Sequence, residues 1–481
     1  MQRRVPSQAP DLDVIIVGAG LSGIGMAHHL QRLCPWASYT ILEARQAIGG
    51  TWDLFRYPGV RSDSDMHTLG YNFRPWADGM AIAPGEKIRA YIEDTAREAG
   101  IDRHIRFGTR MVQARWSSAD ACWTVETPDG ALTCRFLVMC SGYYSYAAGH
   151  RPSWDGEADF GGTIVHPQFW PEELDWRGKR VAVIGSGATA VTLVPALAKA
   201  AAHVTMVQRS PSYVAALPSH DRIAGALKRV LPLKTAAGLT RWKNVLIQQF
   251  LFRMARRKPE RAKAKLMELV VKEVGPEQAR HFAPSYDPWD QRLCLAPDGD
   301  LFAAIRDGSA SVATGEIERF IPGGLRLKDG SQVAADIVVT ATGLKVELAG
   351  GAQIEVDGRS VALADTMAYK GLMFSDVPNF ASVFGYTNAS WTLKADLSSA
   401  FLCRLLNRMR RRGETVVVAR RDAEVGERPF LDFTSGYVQR ARDILPKQGD
   451  RGPWRLKQSY TADLMNLRYG RLDDGVLHFS A

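Results

Sequence analysis

Two glycine-rich turns of one design constrain this chain more than any other feature. The first lies in "DVIIVGAGLSGIGMAHHL", an apolar run ending at Gly18-x-Gly20-x-x-Gly23 and followed by a helix-compatible stretch. The second lies in "KRVAVIGSGATAVTLVPALAKAAAHVTMVQRS", with Gly185-x-Gly187-x-x-Ala190 in the same setting. In each, the first glycine permits a tight turn and the second lets a pyrophosphate approach the backbone. The third small residue allows close helix–strand packing, and the helix start offers free N–H groups to the phosphates. The chain is therefore expected to be α/β, with two Rossmann-type dinucleotide-binding domains. At 481 residues it is long enough for two or three domains.

The strand after each turn distinguishes the two ligands. "SYTILEA" ends in Glu43, placed to accept from a ribose hydroxyl, whereas the second unit carries Arg209 and Ser210 at the equivalent place. An acid repels a 2′-phosphate and a guanidinium bonds it, so the first unit is expected to bind FAD or NAD and the second NADP(H). "CRFLVMCSGYYS" reads as the exit from the first domain and "DIVVTATGL", ending at Ala341-Thr342-Gly343, as the return to it. The expected architecture is nested. Residues 1–150 and 341–481 form the FAD domain, the latter with substrate-pocket elements; 151–217 and 286–340 form the NADP domain, and 218–285 a basic helical insertion.

Composition narrows the class further. Hydrophobic residues make up 46% and charged residues 23%, as in soluble globular proteins. The apolar stretch after the basic leader of "MQRRVPSQAPDLDVIIVGAG" reads as a first strand, not a secretion signal, because the glycine turn follows it at once. Six scattered cysteines without a CxxC pair point to free thiols in a reducing compartment, no metal site and no redox-active disulfide beside a flavin. Among proteins that pass hydride from nicotinamide to flavin, this favours monooxygenases over disulfide reductases.

A run just before the second turn, Phe160-x-Gly162-x-x-x-His166-x-x-x-Trp170-Pro171, resembles the fingerprint FxGxxxHxxxW(P/D) of Baeyer–Villiger monooxygenases. "GGTWDLFRYPGVRSDSDMHTLGYNF", "PWDQRL", "YTNASWTLKADL" and "PWRL" extend the resemblance over nearly the whole chain, and their wording is similar to the ethionamide-activating subgroup. The resemblance implies FAD and NADPH as cofactors, O2 as co-substrate, and oxygen insertion into ketones to give esters or lactones through a C4a-peroxyflavin. Sulfide or thioamide sulfur is an implied second target. By position it makes Arg292 the active-site arginine, with Asp63 its acidic partner. Gly18, Gly20, Ser22, Gly23, Glu43, Thr51, Trp52, Asp53, Leu54, Asp63 and Met111 fall at FAD positions. Arg61, Ser62, Asp63, Gly185, Ser186, Gly187, Ala188, Thr189, Ala190, Arg209 and Ser210 fall at NADP positions. His166 falls to a hinge between domains. Gln291 departs from the lysine many relatives carry before the arginine, which weakens the implied NADPH preference. The alternatives are an N- or S-hydroxylating flavin monooxygenase and a non-catalytic flavin redox sensor.

The net charge of +10 is concentrated between Lys228 and Lys272, where thirteen Lys/Arg face only Glu260 and Glu268. No nucleic-acid motif accompanies this block. Trp242, Val245, Leu246, Gln249 and Phe250 fall near helical spacing, with Leu251 and Phe252 adjacent and Arg253, Arg256, Arg257 and Lys258 following. An apolar stripe beside cations suits an anionic bilayer. The expectation is a cytoplasmic protein with a minor, salt-sensitive membrane-bound fraction; the alternative is a stripe packed on the protein itself.

Overall fold

A computed structural model describes residues 10–431, 433 and 435–481; the basic leader at residues 1–9 lies outside them. The first glycine unit builds a sheet in which the strand Leu12–Val17 is central. It pairs in parallel with Tyr39–Leu42 on one side and with Gly130–Met139 on the other. All four residues Val14–Val17 are buried, as a strand covered on both faces requires. The helix Leu21–Leu33 buries Ile24, Met26, Ala27 and Leu30, and packs against the long helix Trp391–Arg412.

The second unit builds a separate, wholly parallel five-stranded sheet around Arg180–Ile184. His203–Gln208 lies on one side and Ile337–Thr340 on the other, and the helix Ala188–Ala198 covers the sheet. Ile337–Thr340 also pairs with Thr163–Val165, so the fingerprint run supplies the edge strand of this sheet. The chain passes between the two sheets twice, and the crossings meet. Tyr144–Gly149 on the way out pairs antiparallel with Leu344–Val346 on the way back. The strand Phe380–Ser382 then joins the first sheet beside Gly130–Met139.

The basic segment forms helices Arg222–Val230, Leu233–Arg257 and Pro259–Ala279. Its longest helix is fastened to the first-sheet side. The buried Arg241 donates to the carbonyls of His67 and Gly70, and Asn244 and Gln248 donate to Asp65. The apolar stripe expected for a bilayer is split. Val245 is buried against Tyr386 and Leu393, and Gln249 accepts from Ser459 and Thr461. Trp242 lies edge-on to Tyr460, and Phe252 edge-on to Trp289. Leu246, Phe250 and Leu251 remain exposed. Among the described residues, no helix is long and apolar enough to cross a membrane.

Two polar knots hold the first unit together. Asn379, fully buried with φ +46°, donates to the carbonyls of Arg135 and Thr415 and accepts from the Val417 amide. Asp53, in the short helix Thr51–Leu54, is bonded by Arg45 at 2.6 Å and Arg56 at 2.5 Å, with Arg89 at 3.4 Å. Burial works against ionisation of Asp53, but the arginines outweigh it and hold the carboxyl below its ordinary value.

Replacing Asn379 with Ala strands three backbone groups, and urea unfolding is expected to show a loss of about 3 kcal/mol. Asp53→Asn leaves three cations facing one neutral group and is expected to cost about 3 kcal/mol at neutral pH. Because the native carboxyl is depressed, its contribution is present above the unfolded value of about 3.9 and fades as pH falls below it. The variant's stability should therefore converge on that of the parent in acid, which paired urea titrations from pH 7 to pH 3 would read.

Candidate active site between two nucleotide turns

At the first turn, Gly18 adopts φ +105°, and a Cβ there would stand 2.6 Å from the Cys140 carbonyl oxygen. A Cβ on Gly23 would stand 1.8 Å from the Gly18 oxygen, so strand, turn and helix close on one another only without side chains. Gly20 has no such obstruction, its nearest neighbour being the Gly50 Cα at 3.5 Å, and it leaves a cradle at the helix start. Glu43 is buried and accepts from the Ala19 amide at 2.7 Å and the Arg45 amide at 2.8 Å. Burial outweighs these bonds and raises its carboxyl. Each oxygen keeps a further lone pair for a ribose hydroxyl.

The loop at Gly49 and Gly50 crosses this turn, with the Gly49 amide donating to the Ala19 carbonyl. It delivers Thr51 and the half-buried Trp52 to the same edge. Ser22 accepts from the Trp391 indole, joining the turn to the start of the long C-terminal helix. Leu54 is buried, and Met111 packs with Val17 and Leu42 beneath the strand ends.

At the second turn, Gly185 (φ +138°) takes the same role, a Cβ there standing 2.4 Å from the Ala341 oxygen. Gly187 and Ala188 are exposed, with nothing within 4 Å of a Cβ built on Gly187, while Ala190 is fully buried in the packing of helix on sheet. Ser186 donates to the Ser210 carbonyl, fixing the end of the second strand, where Arg209 and Ser210 are both exposed. Thr189 hydrogen-bonds Tyr57, reaching across from the first unit.

The segment Arg61–Asp63 runs between the two turns. Ser62 is buried and donates to the Ser64 carbonyl. Arg61 is engaged by Asp300, at the start of the helix Asp300–Arg306, and so spans the seam instead of standing free. Asp63 accepts from Arg292 Nη1 at 2.8 Å, although 229 residues separate them. The Arg292 side chain is 35% exposed, and its Nε is buried with no partner. Desolvation in the cleft acts to lower its pKa, but Asp63 together with Tyr143, Tyr144 and Tyr437 holds it well above the ordinary guanidinium value. These tyrosines were not singled out by sequence. "SGYYS" was legible only as the end of a strand, and Tyr437 lies in a segment without a motif. The Tyr144 hydroxyl donates to that of Tyr143 at 2.8 Å, and burial pushes Tyr437 up to about 12. The cleft thus holds a permanent cation beside Asp63 and the hydroxyls of Tyr143, Tyr144 and Tyr437.

Of the fingerprint residues, His166 lies on the paired crossings, while Phe160, Gly162 and Trp170 pack within the second unit. Phe160 packs on Phe320, and a Cβ on Gly162 would stand 2.2 Å from the Asp336 oxygen. His166 sits against Gly149, where a Cβ would lie 2.0 Å from its ring, directly on the paired crossings. Its Nδ1 accepts from the Gln168 amide, Gln168 donates to the Ser145 carbonyl, and burial lowers the imidazole pKa. Trp170 stands edge-on to Trp176, and Pro171 is exposed.

A sequence family described as pyridine nucleotide-disulphide oxidoreductase matches residues 15–222. The described cysteines are free, and Cys34 and Cys403 meet at the far end of the Leu21–Leu33 helix from its glycine turn. Among curated relatives, the FAD-containing monooxygenase EthA of Mycobacterium tuberculosis is 54% identical over 98% of both chains. The putative FAD-containing monooxygenase MymA of the same organism is 48% identical over 98% of this chain and 97% of its own. Among solved structures, an oxidised steroid monooxygenase bound to NADP superposes with a TM-score of 0.77 at 22% identity, covering 98% of this chain and 99% of that one. Cyclohexanone monooxygenase from Rhodococcus sp. Phi1, bound to NADP+, gives 0.70 at 21% identity over 86% and 88%. With two nucleotide turns, an arginine–aspartate pair between them and relatives of this identity along its whole length, the chain belongs to the FAD-containing monooxygenases.

Proposed function

We propose that this monooxygenase uses FAD and NADPH to insert one atom of O2 beside a ketone carbonyl, giving an ester or lactone, and that it also oxidises sulfide or thioamide sulfur. Ketone, O2, NADPH and a proton give ester, NADP+ and water. Residues 1–150 and 341–481 form the FAD unit in this reading, and 151–217 with 286–340 the NADP unit. Gly18, Gly20, Ser22 and Gly23 would hold FAD, with Glu43 accepting from its ribose and Thr51–Leu54 and Asp63 lining the rest of its site. Gly185–Ala190 and Ser62 would hold the nicotinamide nucleotide, and Arg209 and Ser210 would bond its 2′-phosphate. Held there, FAD would supply the redox chemistry that activates O2, with reducing equivalents from the nicotinamide nucleotide.

The observation that carries the reading is the Arg292–Asp63 pair in a tyrosine-lined cleft between the two turns. Oxygen insertion into a ketone develops negative charge on oxygen. A fixed guanidinium stabilises that charge without having to reorganise. Asp63 orients the guanidinium through Nη1, leaving the other nitrogens for substrate. His166, on the paired crossings, couples movement of one unit to the other and takes no part in proton transfer.

The same reading extends to location. The face of Leu233–Arg257 that carries Leu246, Phe250, Leu251 and Met254 is 42–65% exposed and adjoins Arg253, Arg257 and Lys258. An anionic bilayer complements both features, and each basic residue near such a surface adds about 1 kcal/mol of attraction. A cytoplasmic enzyme with a salt-sensitive membrane-bound fraction would draw hydrophobic substrates from the lipid phase.

Purified yellow enzyme, incubated with NADPH, O2 and panels of ketones and sulfides, is expected to yield esters or lactones and sulfoxides. Arg292→Ala should lose ester formation by more than a hundredfold while still consuming NADPH. Oxygenated products from sulfides alone would transfer the enzyme to the sulfur- and nitrogen-oxidising class, and no product from either panel would refute oxygen transfer. Sedimentation with phosphatidylglycerol vesicles should pellet the protein at low salt and release it at high salt; equal, negligible pelleting in both would remove the membrane reading.

A further inference from the structure

Beside the Arg292 cleft lies a second cavity, bounded by Tyr143, Phe384, Trp391, Phe430 and Leu456. Tyr143 belongs to both, since its hydroxyl also faces Arg292 through the Tyr144 pair. The polar part of the wall comprises Thr387, Gln458, the exposed Lys457 and one buried cluster. There Asp463 Oδ2 accepts from Lys394 at 2.7 Å and from the Tyr386 hydroxyl at 2.7 Å. The Lys394 side chain is 8% exposed and that of Asp463 13%, while Tyr386 is buried. Lys394 lies one turn into the helix that begins at Trp391, with its Cε close to Gly371 on the opposite wall.

An ammonium has three N–H donors, and Asp463 is the only acceptor that Lys394 has among the described residues. Donors left over in an apolar cavity are costly unless a ligand or water takes them. The buried pair is electrically neutral as a unit and Lys457 is exposed to solvent, so a ligand carboxylate reaching Lys394 would bring an uncompensated charge, whereas a neutral oxygen or sulfur acceptor would not.

We propose that Lys394, held by Asp463 and Tyr386, forms a substrate-selecting subsite. It takes a neutral, mainly apolar molecule that carries a second hydrogen-bond acceptor (an ester, ether or carbonyl oxygen, or a thiocarbonyl sulfur) remote from the group oxidised. This rests on the proposed oxygenation of ketones and sulfides and names the substrate class within it. Asp463 and Tyr386 are positioning residues, keeping the ammonium extended into the cavity.

The test uses FAD-loaded enzyme and a matched series: 2-nonanone, methyl 8-oxononanoate and 8-oxononanoate. Equilibrium dialysis without NADPH reads affinity independently of turnover. The keto ester is expected to bind the parent enzyme about tenfold more tightly than the plain ketone, the size of one hydrogen bond to a charged donor. The keto carboxylate should bind more weakly than the ester. In Lys394→Met the ratio of ester to ketone affinity should collapse toward one. In Asp463→Asn, which leaves the ammonium unneutralised, the carboxylate should overtake the ester. Flavin content and circular dichroism confirm folding, and the Asp463→Asn arm stands by itself if Lys394→Met does not fold. The proposal is overturned if none of the three binds the parent, if the parent shows no preference, if the preference survives in Lys394→Met, or if the carboxylate gains nothing in Asp463→Asn. This binding pattern without any oxygenated product would instead refute the proposed reaction and leave the subsite standing.

Discussion

A guanidinium from one nucleotide-binding unit meets a carboxylate from the other, and the site exists only where they meet. Arg292 follows the basic helices and lies two residues before the strand Cys294–Pro297, while Asp63 lies in a loop of the first unit, so their contact closes the cleft across the seam. Desolvation in that cleft opposes a charged arginine, yet Asp63 and the tyrosine hydroxyls more than offset it. The cation is thereby fixed in place and permanently charged, which electrostatic stabilisation of a developing oxyanion requires.

That contact depends on how the chain crosses between the units. The two crossings pair as Tyr144–Gly149 with Leu344–Val346, and His166 packs against Gly149 on that ribbon. A two-stranded connection restrains the relative position of two sheets far better than two separate linkers could. The fingerprint around His166 is a joint: its strand forms the edge of the second sheet, its phenylalanine packs in that unit, and its histidine rests on the ribbon.

The helical segment works on both sides of the seam. Arg241, Asn244 and Gln248 fasten its longest helix to the first unit through backbone carbonyls and Asp65, and Val245 reaches Tyr386 and Leu393. The same helix that presents an apolar, cationic face outward therefore touches the wall of the cavity holding Lys394.

The two glycine turns, their order and their differing second-strand ends were legible from sequence, because strand–turn–helix closure is local. Gly18 and Gly185 need positive φ, and Gly23 needs the missing Cβ, whatever the rest of the chain does. The resemblance carried by the fingerprint and by "PWDQRL" pointed to Arg292 and Asp63 as a pair. Nothing local could show Tyr143, Tyr144 and Tyr437 gathered around Arg292, or Arg61 engaged by Asp300, since those partners come from distant segments. The stripe from Trp242 to Phe252 was visible as a pattern, but periodicity does not say what covers a face. Only packing decided that Val245 and Gln249 turn inward while Phe250 and Leu251 stay outside. The Lys394–Asp463–Tyr386 cluster belongs to the same class: its members span the C-terminal part of the chain, and only folding brings them together in one cavity wall.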